Sequence, residues 1–165
     1  MTTGKQLFST LADGKLTVEI AAINYADPTG NQVLVQMEAA PINPSDLALL
    51  TGAADLENAE YSDGKFVASM PEPFFSAQKG RHGLRLPVGN EGAGTVIAAG
   101  EGEAAQALIG QRVACVPGSA YSQYCVADAG MCLPLGDISS EDGASAFVNP
   151  NDCTWLRRDS KIGRA

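Results

Sequence analysis

Short runs in which every second side chain is apolar, each closed by a glycine or proline, constrain this chain more than any other feature. Lys15–Ile20 sets Leu16, Val18 and Ile20 on one side, and Gln32–Met37 does the same with Val33, Val35 and Met37. A period of two belongs to a half-buried strand, because successive side chains point to opposite faces. The β signal returns, bounded by Gly or Asp turns, in Gly94–Ala99, Arg112–Val116, Tyr121–Val126 and Met131–Pro134. Strands this closely spaced, with few helical segments between them, predict a mainly β fold with short helices: a partly open β-barrel, not a βαβ sheet.

Two short helices interrupt the pattern. Asn43-Pro-Ser-Asp46 is a helix start in which Pro44 suits the first turn and Asn43 can cap ahead of it, with Leu47–Leu50 giving one apolar turn before Gly52. Ser139–Asp142, a hydroxyl followed by acids, opens a second helix running into Gly143–Phe147. Residues 53–85 depart from both periods. Their acids, aromatics, Pro71-Glu-Pro73 and closing Lys79–Arg85 stretch predict an irregular excursion, either a lid over a site or a solvated insertion. Residues 1–150 carry a net charge of −10 and residues 151–165 a net charge of +2, the latter holding the only Trp, Trp155, and no period. The expected organisation is one domain over 1–150 and an unrelated tail over 151–165, vector-derived or frameshifted.

Charge and composition exclude several functions. A net charge of −8 sets the average surface against nucleic acid and anionic membrane. No apolar run approaches the roughly 20 residues of a membrane span, and Met1–Lys5 lacks the layout of a secretory signal, so a cytoplasmic protein is expected. Cys115, Cys125 and Cys132 lie in apolar surroundings and read as buried free thiols, while the spacing of the four cysteines lacks the close ligand pairs of a zinc site. No metal is expected.

Phosphate-loop patterns also fail. Gly89–Gly94 has the glycine spacing of a P-loop, but Thr95-Val96 stands where the phosphate-binding Lys belongs. Gly100-Glu-Gly-Glu-Ala-Ala105 would turn Glu101 and Glu103 toward a pyrophosphate and leaves too little room for the helix, so it reads as a tight hairpin connection. His82, the only histidine, sits among Lys79, Arg81 and Arg85 in what reads as a solvated loop.

Four segments in register carry a resemblance: Ala40–Asp46, Pro87–Gly100, Ile109–Ala114 and Gly118–Tyr124. Together they resemble the N-terminal, GroES-like domain of the medium-chain dehydrogenases/reductases, closest to the quinone oxidoreductase and enoyl reductase branch. In the zinc enzymes of that superfamily a Cys stands where Asn43 stands here, and a His where Asn90 stands. Asparagine is a poor zinc ligand beside thiolate and imidazole, so the resemblance implies the zinc-independent branch.

Carried over by position, the resemblance implies catalytic roles for Asn43, Ser45 and Asp46. Asn43 would lie beside the nicotinamide and the substrate carbonyl, and Ser45 would match a proton-relaying hydroxyl. Asp46 would start the helix behind the pocket, with Glu91 as its buttress and Asn149 approaching the cofactor. Helix capping alone is the other reading of Asn43, Ser45 and Asp46. The cofactor implied is NADP, or NAD, held in the complete enzyme by a Rossmann domain expected after Pro150. The chain therefore reads as a truncated catalytic-domain fragment, inactive alone and binding no nucleotide by itself. Its implied substrate is a small quinone or enone. Two rivals remain: a non-catalytic GroES-like module that binds a partner or forms a homo-oligomer through exposed apolar surface, and a metal-dependent dehydrogenase with unusual ligands.

Overall fold

The computed structural model describes residues 1–148. Two five-stranded antiparallel sheets make up the fold. The first has the order β4-β5-β2-β1-β6, from β1 (Thr2–Ala12), β2 (Lys15–Tyr25), β4 (Glu60–Ser62), β5 (Lys65–Ser69) and β6 (Arg85–Pro87). The second, β10-β8-β7-β3-β9, is built from β3 (Gln32–Ala39), β7 (Gly92–Ala99), β8 (Arg112–Cys115), β9 (Tyr124–Asp128) and β10 (Cys132–Pro134). The predicted mainly β, GroES-like fold is the observed one, and the two sheets do not close into a barrel.

The segment 121–123 stitches the sheets together. Leu7 N–H donates to the Tyr121 carbonyl and Gln123 N–H to the Lys5 carbonyl, both at 2.9 Å, while Met37 N–H reaches the Gln123 carbonyl at 3.0 Å. One irregular stretch thus serves β1 and β3 at once. The alternation places Leu16, Val18, Val33 and Val35 in the core as expected, whereas Ile20 is exposed and Leu34, on the other face of its strand, is buried as well. Leu11, Leu16, Val18 and Met70 fill the first sheet's cluster, and Val33, Val35, Val96, Val113 and Cys115 fill the second's. Burying one such aliphatic side chain contributes about 1.5–3 kcal/mol.

Four expectations need correction. The excursion over 53–85 is neither irregular nor a detached lid: β4 and β5 form a hairpin on β2, helix α2 (Glu72–Ala77) follows, and β6 closes the other edge on β1. The turn Asp63-Gly64 takes positive φ at both residues, 46° and 74°, the primed-turn geometry that matches strand twist. The connection after Gly100 is not a tight hairpin but holds a one-turn helix, α3 (Glu103–Gln106). His82 is not on a solvated loop either. Its ring stacks on Phe75 at 4.0 Å between centroids, and Nε2 lies 2.8 Å from the Phe75 carbonyl. Of the three thiols expected to be buried, Cys115 and Cys125 are, and Cys132 is partly exposed.

Helix α1 (Pro44–Leu50) starts where expected and is pinned at its C-terminal end by β1 and by Arg81 of the 53–85 segment. Arg81 Nη1 donates to the Ala48 carbonyl at 3.2 Å, and Ser9 Oγ donates to the Leu49 carbonyl at 2.5 Å. These are the end carbonyls that a helix leaves without partners. The C-terminal helix α4 (Ser140–Gly143) is shorter than predicted. Ser139 caps it by accepting from Asp142 N–H at 3.1 Å. Glu38 tethers it to the second sheet, taking the Ser140 hydroxyl at 2.5 Å and the Thr95 hydroxyl at 2.6 Å.

The Ser140 hydroxyl, then that of Thr95, holds the Glu38 carboxyl below its ordinary value of 4.5. A carboxyl lowered in the folded state stabilises fully above its unfolded pKa, and that contribution falls away as pH drops through the folded one. The stability difference between the native chain and Glu38→Gln should therefore be constant at neutral pH and shrink below about pH 4.5. Urea unfolding across pH checks this, and a difference that grows toward acid contradicts the tether.

Candidate functional site

The N-terminus of α1 meets the loop before β7 and the segment at Tyr121, and a buried carboxylate joins the three. Asp46, in the first turn, is 1% exposed. Its Oδ2 accepts Asn43 N–H at 3.0 Å, the carboxylate arm of a capping box, and its Oδ1 accepts Asn90 N–H at 3.1 Å. The Tyr121 hydroxyl lies 2.8 Å from the Pro41 carbonyl and 3.2 Å from Asp46 Oδ2, sharing one proton between them. Burial, and then the Asp46 charge beside it, pushes the Tyr121 hydroxyl above its ordinary pKa, so it stays a donor.

Gly89 makes this approach possible. Its φ is +97°, and a Cβ there would overlap the Tyr121 backbone nitrogen. Ala120 N–H donates to the Gly89 carbonyl at 2.9 Å and Tyr121 N–H to the Val88 carbonyl at 3.0 Å.

A second buried carboxylate stands next to the first. Glu91, also 1% exposed, takes the Asn43 side-chain N–H on Oε1 at 3.1 Å. Its Oε2 takes the backbone N–H groups of Phe147 and Val148 at 3.1 and 2.7 Å. Asn43 therefore links α1 to Glu91, and Glu91 holds the chain leaving α4. A buried carboxylate is tolerable only when its oxygens are satisfied in this way.

Above this layer lies a polar rim. Ser45 is exposed, and Asn90 Nδ2 donates to its Oγ at 2.7 Å. With its oxygen already accepting, Ser45 has its own O–H to give outward. The structure thus brings together Asn43, Ser45 and Asp46, but at different depths. Asn43, expected beside cofactor and substrate carbonyl, is only 3% exposed and lies beneath Ser45's layer. Asn149 falls outside the described residues.

Asn90 and Tyr121 complete the site beyond the residues expected in it. The adjacent polar pair Asn90-Glu91 inside a run of glycine and apolar residues is the signal for the first, and Tyr121 lies within the Gly118–Tyr124 segment without a pattern that marks its role.

The rim suits the reactive end of a nicotinamide: it is polar and uncharged, and the nearby carboxylates are buried and fully engaged. The Gly100–Ala105 turn, by contrast, has no room for phosphate. Glu101 accepts Gly30 N–H at 2.8 Å, and Cβ atoms at Gly100 or Gly102 would overlap Gly30 and Asn31. Those glycines serve close packing. Among the described residues no group of three His, Cys, Asp or Glu could hold a metal, and no helix is long and apolar enough to cross a membrane.

Residues 29–146 match the family described as the alcohol dehydrogenase GroES-like domain. Prostaglandin reductase-3 of Mus musculus is 24% identical over 141 residues, covering 82% of this chain and 31% of that protein. Among solved structures, a Mesorhizobium loti protein assigned as an NADPH:quinone reductase is 26% identical with a TM-score of 0.62, over 98% of this chain and 47% of that one. A mycobacterial protein solved with NADPH superposes with a TM-score of 0.56 at 21% identity, over 97% of this chain and 42% of its own. The chain thus spans less than half the length of each of these relatives.

Replacing Asp46 with Asn sets an NH2 against one of the two backbone donors, Asn43 N–H or Asn90 N–H, and leaves that donor unpaired. The expected cost is about 2–4 kcal/mol, against about 1 kcal/mol for Tyr121→Phe. Urea midpoints measure both, and a D46N loss no larger than that of Y121F contradicts the central place given to the carboxylate.

Proposed function

This chain belongs to the alcohol dehydrogenase GroES-like domain family, and on that premise we propose that it is the substrate half of a zinc-independent, NADP(H)-dependent reductase of quinones or activated enones. One observation carries the reading: the Ser45 hydroxyl, exposed at the rim, accepts from Asn90 Nδ2 at 2.7 Å. That hydrogen bond turns the Ser45 proton toward a carbonyl oxygen. Asn90 is in turn held through its backbone N–H by Asp46. The names of the relatives, quinone and prostaglandin reductases and a protein solved with NADPH, support the substrate class and cofactor.

In this mechanism Ser45 and Asn90 hold the nicotinamide end and the substrate carbonyl at the rim. When bound, the reduced nucleotide supplies the hydride. Ser45 O–H donates to the carbonyl oxygen as negative charge builds there, the geometry in which a preorganised donor is most effective. Asn43, buried beneath, is a positioning residue that keeps α1 on Glu91. The ligand chemistry supports zinc-independence: Asn43 and Asn90 offer amides, and their N–H groups already serve Glu91 and Ser45.

A second reading, a non-catalytic module that self-associates, draws on two apolar clefts of about 340 and 400 Å³ that share Leu7 and Ile20 on the first sheet. A concentration-independent monomer in light scattering counts against it.

In the complete enzyme, with its nucleotide domain, Ser45→Ala should lower kcat for quinone reduction by about 100-fold, the scale of one oxyanion donor. Ser45→Thr should recover much of it. Wild-type kcat in S45A overturns the assignment. The 165 residues alone should neither turn over nor bind NADPH below millimolar concentration in a fluorescence titration. Micromolar binding would contradict the half-site.

A further inference from the structure

We propose that Cys115 and Cys132 form an oxidisable pair that closes a disulfide between β8 and β10 in the presence of a peroxide. The two residues are direct partners in the antiparallel register, Cys132 opposite Cys115. Directly opposed residues in such a ladder have Cα atoms about 4.5–5.5 Å apart, inside the window of about 4.4–6.8 Å that a disulfide spans. Both side chains face the same core: Cys115 lies within the second sheet's cluster and Cys132 packs against it. The two thiols are close enough to shift each other's ionisation.

Access differs between the two in a useful way. Cys115 is fully buried, whereas Cys132 is partly exposed, its Sγ also 3.4 Å from the Asp128 carbonyl. The oxidant therefore meets Cys132 first. The Cys132 thiolate attacks one peroxide oxygen, the O–O bond breaks, and a sulfenic acid and a water result. Cys115 sulfur then attacks the sulfenic sulfur, the S–S bond forms, the S–O bond breaks, and a second water leaves. Two thiols are oxidised by two electrons and one peroxide is reduced to two waters.

Cys125 is the competing partner, since it shares the same buried cluster with Cys115. It lies on β9, however, which pairs with β3 and not with β8. Its thiol is 1% exposed and set against the Met37 sulfur at 3.3 Å. Hydrogen bonding to Cys125, together with burial, raises the Cys115 thiol, and hydrogen bonding to Cys115, with burial, raises Cys132. The rate should accordingly climb with pH, because the thiolate is the nucleophile.

The consequence reaches the site. β10 is an edge strand of three residues that leads through Leu135 into α4, and the chain after α4 supplies the Phe147 and Val148 N–H groups to Glu91. Closing the disulfide fixes β10 on β8 and so fixes the approach to that wall.

The test treats the reduced 165-residue chain with excess hydrogen peroxide at mildly alkaline pH, then alkylates the remaining thiols. Chymotrypsin with a protease cutting before Asp places the four cysteines on separate peptides. The expected product is a linked pair carrying Cys115 and Cys132, lighter by two hydrogens, with a raised melting temperature. Cys125→Ser should keep the link and Cys132→Ser should lose it while remaining folded. Alkylated Cys115 and Cys132 after peroxide, a link to Cys125 or Cys153, or Cys132 over-oxidised without a link would each overturn the proposal.

Discussion

A buried carboxylate with few donors destabilises a fold, and one with the right donors fixes it. Asp46 is of the second kind. Its oxygens take backbone N–H groups from Asn43 and Asn90 and a share of the Tyr121 hydroxyl proton. These come from the helix start, the loop before β7 and the stretch that stitches the two sheets together. Removing the charge would leave those donors without a common acceptor, and in a low-dielectric interior an unpaired polar group is costly. The position of Ser45 and Asn90 at the rim is a consequence of this anchorage.

Helix α1 shows why the anchorage is necessary. Seven residues are too few for a helix to be stable through its own hydrogen bonds. It persists because tertiary contacts hold both ends: Asp46 at the start, and Ser9 and Arg81 at the last carbonyls. Arg81 comes with the 53–85 segment, and desolvation lowers its pKa. That segment therefore supports the site from behind the helix, supplies β4 and β5 to the first sheet and leads into β6. Glu91 extends the same logic toward α4, so one polar layer ties together elements far apart in sequence.

Much of this was legible in the sequence, and the rest was hidden for physical reasons. Period-two alternation at Leu16 and Val18 and at Val33 and Val35 marks core strands, although β3 buries Leu34 on its other face too. Pro44 after Asn43 marked the helix start through its fixed φ and missing N–H. Strand β1 was missed, since Gly4, Gln6 and Ser9 are buried on it where apolar residues were sought. The excursion was misjudged because charges obscured its alternation, although Asp63-Gly64 is a strong hairpin signal. At the site, the family resemblance pointed to Asn43, Ser45 and Asp46, but depth did not follow from position in the motif: Asn43 is buried. Tyr121 contributes through a long-range contact that no local pattern encodes.

Amide hydrogen exchange on the native chain tests most directly whether Asp46 is the common acceptor. The N–H groups of Asn43 and Asn90 should be protected to the same degree, and Asp46→Ala should expose both together while the β3–β7 ladder stays protected. Independent exchange of the two amides, or continued protection of either in D46A, would contradict the account.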